Sequence, residues 1–221
     1  MTNRRRWTLL AVVGVVAPLC AGCVTLLPKA APEPLYRFGG GDASAPSPVP
    51  AVGRGQGLLG IVVTLPAASR GDALLAVTGR SAAYISGGRW VSPASDLFRE
   101  AAARALAAHG AAGPGGGVLT LAVTRFEADY DHGTDDAPTV RIEAALRLSD
   151  GVRPPRSLGV VEGEAPAAAN RIGAIVSAYD TALDAVLAGA AAALDRDAQS
   201  TTRDRPDQRD QAISGLPVSP R

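Results

Sequence analysis

Thr139 to Leu148 reads TVRIEAALRL and alternates without a break. Val140, Ile142, Ala144, Leu146 and Leu148 fall on one side, and Arg141, Glu143 and Arg147 on the other. A period of two predicts a strand with one buried and one wet face. Just before it, Val118 to Tyr130 (VLTLAVTRFEADY) also alternates, with Leu119, Leu121 and Val123 on one face. The two runs predict an antiparallel hairpin across the acidic loop Asp131 to Pro138. The dry face of such a hairpin must be covered, and two helical patterns can cover it. Asn170 to Leu194 places Ile172, Ile175, Val176, Tyr179, Ala182, Leu183, Val186, Leu187, Ala190 and Leu194 at steps of three and four. Earlier, Ser92 is suited to cap a helix and Pro93 fits its first turn. Asp96 then complements the dipole, Leu97, Phe98, Ala101, Ala102, Ala105 and Leu106 form one stripe, and Gly110 ends it. The expected architecture is α/β: a single two-layer domain with a mixed, mostly antiparallel sheet and two long helices on one face.

Working outward, Leu58 to Leu65 (LLGIVVTL) is an apolar β-branched run ended by Pro66, and predicts a strand buried on both faces. Ala73 to Thr78 and Ser81 to Ile85 predict two strands around Gly79-Arg80, with Gly87-Gly88 breaking the chain after them. Leu158 to Glu164 adds another strand, and Leu35 to Phe38 a short one that begins the domain. Residues 39–57 carry many Gly, Pro and Ser residues and no apolar period, so they read as a flexible insert, and Ala111 to Gly117 as a flexible connection. The domain is expected over residues 35–194, with a polar, disordered tail over 195–221.

The N-terminus has a different logic. Arg4, Arg5 and Arg6 precede an apolar run from Trp7 to Leu19, which closes on Ala21, Gly22 and Cys23. Basic start, apolar middle and small-residue end make residues 1–22 a signal peptide. Cys20-Ala21-Gly22-Cys23 is similar to the lipobox of bacterial lipoproteins, with Cys20 where leucine is usual. Cys23 is then the lipid-attachment residue, acylated with palmitate-type chains, and residues 23–34 form a proline- and alanine-rich tether. An uncleaved membrane anchor is disfavoured, because Trp7 to Leu19 falls short of the roughly 20 apolar residues needed to span a bilayer. With Cys20 removed and Cys23 acylated, the mature domain has no thiol, so packing alone must hold it.

Lys+Arg of 22 against Asp+Glu of 21 leaves a net charge of +1, which gives no electrostatic reason to bind nucleic acid. The chain is 47% hydrophobic but only 4% aromatic, so Ala, Val and Leu supply most of the burial. Catalytic residue types are scarce. His109 sits at a helix end, and His132 lies in a loop with Asp129, Asp131, Asp135 and Asp136. Those oxygens suit a hard cation, but their spacing matches no calcium loop, and a solvated hairpin loop is the better reading. Gly113 to Gly117 lacks the Gly-Lys-Ser/Thr of a phosphate loop, and no Gly-x-Ser-x-Gly elbow is present. No metal or cofactor is expected, and no enzyme activity.

Several short motifs occur in a telling order. A lipobox is followed by Tyr36-Arg37-Phe38, then by Arg89-Trp90 directly before a helix. Arg125-Phe126-Glu127 comes next, and then Val176-Ser177-Ala178-Tyr179-Asp180-Thr181-Ala182-Leu183. This set resembles the ABC-type transport auxiliary lipoproteins, the PqiC-like, MCE-associated family. The likeness runs from Cys23 to about Leu194, leaving out the 39–57 insert and the tail. It implies a non-enzymatic subunit of a lipid-transport system in the Gram-negative envelope. Its partners would be an MCE-domain protein and an ABC permease and ATPase, with homo-oligomers possible for such a domain. It also singles out Arg89, Trp90 and Phe126 as structural or partner-contacting residues. Trp90 stands where its ring would fold over the first helical turn as a staple. Val24 after the lipid cysteine is not an inner-membrane retention signal, so an outer-membrane anchor with the domain facing the periplasm is expected. The competing expectation is an envelope lipoprotein that binds lipid itself in an apolar groove between alanine-rich helices.

Cys23→Ala should move the protein from the membrane fraction to the soluble one. An uncut chain that stays with the membrane in that variant would refute lipidation at this residue.

Overall fold

The structure is a computed structural model that describes residues 32–39, 57–58, 60–110, 112–113, 117–131, 133 and 135–203. The expected signal peptide, Cys23, most of the tether, most of the 39–57 insert and His132 lie outside the described residues. The fold belongs to the unit Pro34–Arg221.

The elements in chain order are β1 (Leu35–Tyr36), β2 (Gly57–Leu58), β3 (Gly60–Thr64), β4 (Ala73–Thr78), β5 (Ser81–Trp90), α1 (Ala94–Ala108), β6 (Ala112–Gly113), β7 (Val118–Asp129), β8 (Thr139–Ser149), β9 (Arg156–Pro166) and α2 (Ile172–Arg203). Seven strands form one mixed, open sheet in the order β1-β5-β4-β7-β8-β9, with β3 beside the first half of β7. The long pairings β7–β8 and β8–β9 are antiparallel, as is β4–β5. β1–β5, β3–β7 and β4–β7 are parallel. The small strands β2 and β6 pair separately, so the Gly-rich connection after α1 carries a strand where the sequence suggested only a loop. Both helices cover one face of the large sheet.

The hairpin forms as its alternation dictates, with Leu119↔Leu148 and Leu121↔Leu146 in register and all four buried. At Val123 the register slips, and Thr124 becomes an extra residue on β7. A bulge of this kind adds one residue to one strand and bends it. From there the inward positions become Phe126, Ala128 and Tyr130, and Arg125, Glu127 and Asp129 turn to the open face. A second slip lies between β8 and β9, where Gly159 takes φ +107°.

Several local readings need correction. β3 is not buried on both faces: Ile61 and Val63 pack on the core while Val62 is 44% exposed. Helices cover only one face, so a second dry face has nothing to meet. β5 does not stop before Gly87-Gly88 but runs through them to Trp90. Gly88 is needed there because a Cβ would collide with the Tyr36 ring and Ile172. Ser92 does not cap α1. Pro93 is the N-cap without a side-chain bond, and the Ala94 N–H donates instead to the Gly71 carbonyl at 2.8 Å. Gly110 ends α1 with φ +69°, as expected. α2 continues nine residues past Leu194 to Arg203, where a disordered tail was expected. Asp197 in that extension accepts from Arg156 Nε at 2.7 Å, which ties the helix end to the start of β9.

All three phenylalanines of the chain join Trp90 and Tyr179 in one connected aromatic cluster in the core, Phe98 through Phe126. Phe38 lies edge-on to Trp90 with centroids 4.7 Å apart, and Trp90 edge-on to Tyr179 at 5.2 Å. Phe126 is 4.8 Å from Tyr179 and 6.2 Å from Phe98. Edge-to-face pairs of this kind add about 0.5–1.5 kcal/mol beyond area burial. Phe38 is completely buried and reaches this cluster because the chain after β1 passes between the two helices. Gly39 is held there on both sides. Its N–H donates to Asp180 Oδ1 at 2.6 Å, and its carbonyl accepts from Arg104. A Cβ on Gly39 would run into Ala101 of α1 and press on Leu183 of α2. Burial pushes the Asp180 carboxyl upward, the Gly39 N–H lowers it, and nearby Asp184 raises it.

α2 crosses β9 so closely that a Cβ on Gly163 would overlap the Ala182 carbonyl. Backbone cannot yield there, so Gly163→Val should destabilise by about 1–3 kcal/mol or more. Leu187, 4% exposed, fills the same interface. Leu187→Ala should cost about 2–5 kcal/mol. Val160→Ala, on the open face, should change stability by less than about 0.5 kcal/mol. Chemical denaturation of the three variants tests this order. A Leu187→Ala midpoint equal to wild type would contradict the packing described.

Candidate functional site

The residues singled out in the sequence divide by burial. Trp90 is 1% exposed and Phe126 2%, both inside the aromatic cluster, so neither is a partner contact in this fold. The aromatic partners of Trp90 are Phe38 and Tyr179, and it shares the core with Ala94, Leu97 and Phe98 of α1. Burial pushes the Tyr179 hydroxyl far above its usual titration range, and it points at the Leu75 carbonyl 3.5 Å away. Arg89 is exposed at the β1–β5 edge, 3.2 Å from Asp72. His109 is exposed at the end of α1. Of the loop acids, Asp131 turns back to Arg141 at 2.7 Å, while Asp135 and Asp136 are exposed. Among the described residues no group of three or more His, Cys, Asp and Glu is placed to hold a metal ion.

The sequence pattern indicated a wet face with Arg141, Glu143 and Arg147 but not the set of interacting charges that β7 adds to it. The bulge at Thr124 creates it by turning Arg125, Glu127 and Asp129 outward together. Arg125 donates to Glu127 at 2.9 Å and to Asp129 at 3.2 Å. Arg141, next along on β8, donates to Asp129 at 2.8 Å, and its Nε lies 3.6 Å from Glu164 on β9. Asp129 is 6% exposed. Its burial pushes the carboxyl above the usual range, and hydrogen bonding with Asp131 adds to that, while Arg141 and Arg125 pull it down. The Glu127 bond raises the Arg125 guanidinium despite its partial burial. The signal that would have revealed this set was a parity change. Leu119, Leu121 and Val123 are odd-numbered inward positions, and Phe126, Ala128 and Tyr130 are even-numbered ones.

Two concavities flank the sheet. One, of about 420 Å³, lies beside the start of α2 and is bordered by Arg171, Ser177 and Thr181. The other, of about 500 Å³, is bordered by the β4–β5 hairpin, Tyr84 and Tyr130. Where the competing expectation put an apolar groove between the helices, Gly39 approaches Ala101 of α1 and Leu183 of α2, and Phe38 beside it packs on Trp90, Phe126 and Tyr179. The described part of the open face bears carboxylates and guanidiniums but no imidazole or thiol. Such groups suit charge-directed recognition.

No protein-family model matches the chain, and no curated protein does. Among solved structures, the crystal structure of a protein from Xanthomonas campestris, described as DUF330, matches with a TM-score of 0.53 at 20% identity, covering 65% of this chain and 88% of that one. A crystal structure of an uncharacterized protein gives 0.49 at 16% identity, covering 66% of this chain and 92% of that one. The chain thus has the fold of a DUF330 protein.

Proposed function

We propose that this chain is a non-enzymatic auxiliary lipoprotein of an ABC/MCE-type lipid-transport system, anchored to the outer membrane through Cys23 and docking an MCE-domain partner in the periplasm. The observation that carries the reading is the convergence of the family-like motifs. Tyr36-Arg37-Phe38, Arg89-Trp90, Arg125-Phe126-Glu127 and Val176 to Leu183 are far apart in sequence. They place Phe38, Trp90, Phe126 and Tyr179 in one cluster. The motifs therefore behave as one structural signature on a DUF330-like fold, and the PqiC-like reading accounts for all of them together.

The physical requirements of such a subunit are modest. A tether over residues 24–34 reaches about 18 Å as a flexible coil. The domain stays near its membrane, where confinement raises the effective concentration of any partner crossing the periplasm. A weak interface then suffices, and no reactive group is needed.

Affinity purification of the tagged lipoprotein from crosslinked envelopes should recover an MCE-domain protein together with its ABC permease or ATPase. Repeated recovery of the lipoprotein without any MCE-domain protein would overturn the reading.

A further inference from the structure

Among the described residues no helix packs on the second face of the large sheet, and this face has two different belts. One is uncharged: Thr64, Ala122, Ala145 and Val160 lie side by side across β3, β7, β8 and β9. Val62 and Val118 continue it on β3 and β7, beside the exposed Arg147 on β8, and Val160, Val62 and Val118 are 57%, 44% and 36% exposed. The next row is charged. Glu143 on β8 stands directly opposite Glu162 on β9. Like charges facing each other across strands destabilise a sheet.

The neighbouring cations relieve this conflict only on the Glu143 side. Arg125, across from Glu143 on β7, attracts that carboxylate through space but gives its hydrogen bonds to Glu127 and Asp129, and so compensates the pair only in part. Arg141 gives its hydrogen bonds to Asp129 and Asp131. Glu143 receives a hydroxyl bond from Thr124 at 2.9 Å, and Glu162 has neither a hydrogen bond nor an ion pair among the described residues. A local conflict of this kind, held beside an exposed apolar strip, is what a docking surface keeps for its partner. A guanidinium or ammonium group set between the two carboxylates would relieve it, and a guanidinium can engage carboxylates through two bonds.

We propose that this open sheet face is the partner-docking surface, and that it receives a segment carrying arginine or lysine beside apolar side chains. The cationic residue sits at Glu143 and Glu162, and the apolar residues cover Val160, Ala145 and Ala122. The inference rests on the docking function proposed above and supplies its surface. It also predicts opposite signs for stability and binding. Removing a charge from the glutamate pair relieves the free domain and weakens docking, a combination that a purely structural role does not produce.

The test is site-specific photo-crosslinking of the full-length lipidated chain in its own envelope, with the photoreactive residue at position 160 or, as a control, at Ala185 on the exposed side of α2. The MCE-domain protein should be captured at position 160 and not at 185. Glu162→Arg should lower that capture at least tenfold. Glu162→Gln should lower it several-fold while the thermal midpoint of the protein stays the same or rises. Capture of the MCE-domain protein at 185 alone would leave the docking function standing and overturn this surface. Capture at 160 that is indifferent to Glu162→Arg would overturn the basic character of the partner. Crosslinks at 160 only between two copies of the chain would make the face a self-interface and overturn the proposal. Absence of the MCE-domain protein at both positions would overturn the docking function itself.

Discussion

Among the described residues, the structure depends on covering one face of a seven-stranded sheet with two helices that are rich in alanine. Alanine brings backbones close but fills little space. Five aromatic rings solve the volume problem by gathering at one point, and Phe38 is the decisive one. It comes from outside both the hairpin and the helices, and its ring joins Trp90 of β5, Phe126 of β7 and Tyr179 of α2. Glycine solves the complementary problem at the sheet. Gly163 lets α2 approach β9 until helix backbone meets strand backbone. Large rings in the centre and glycine at the contact line are two answers to the same constraint.

That packing also determines what the outside can do. Since Phe38 and Gly39 are gripped by Asp180 and Arg104, the segment from Pro34 to Gly39 belongs to the folded body. Among the described residues, the surfaces left without a covering element are the helix exteriors and the second sheet face. The bulge at Thr124 gives that face its character. Without it, the second half of β7 would present Phe126 and Ala128 outward and bury Arg125 and Glu127. One extra residue thus serves the aromatic cluster on one side and the charge ladder on the other.

Much of this was legible in the sequence, for reasons that can be named. The alternation in Thr139 to Leu148 and the three-four spacing after Ile172 are strong because burial on one side leaves a fixed period. The helix end at Gly110 was legible because a positive φ demands that residue type. Other features depend on distant partners. The continuation of α2 to Arg203 carries no apolar period, and Asp197 finds Arg156 only once β9 lies beneath the helix. Trp90 before a helix suggested a local role, and its aromatic partners, 52 positions before it and 89 after it, are Phe38 and Tyr179. The charge ladder was hidden because strand parity was read from the first half of β7 alone.

The central proposal is that this domain, with Phe38 buried in its aromatic core, works by docking a partner and holds no lipid in its interior. The most direct measurement is lipid analysis by native mass spectrometry of the Cys23→Ala protein purified from its own envelope. The account predicts a bare chain mass with no bound phospholipid. A stoichiometric phospholipid retained through purification, and lost in a variant that overfills the interhelical space, would contradict it.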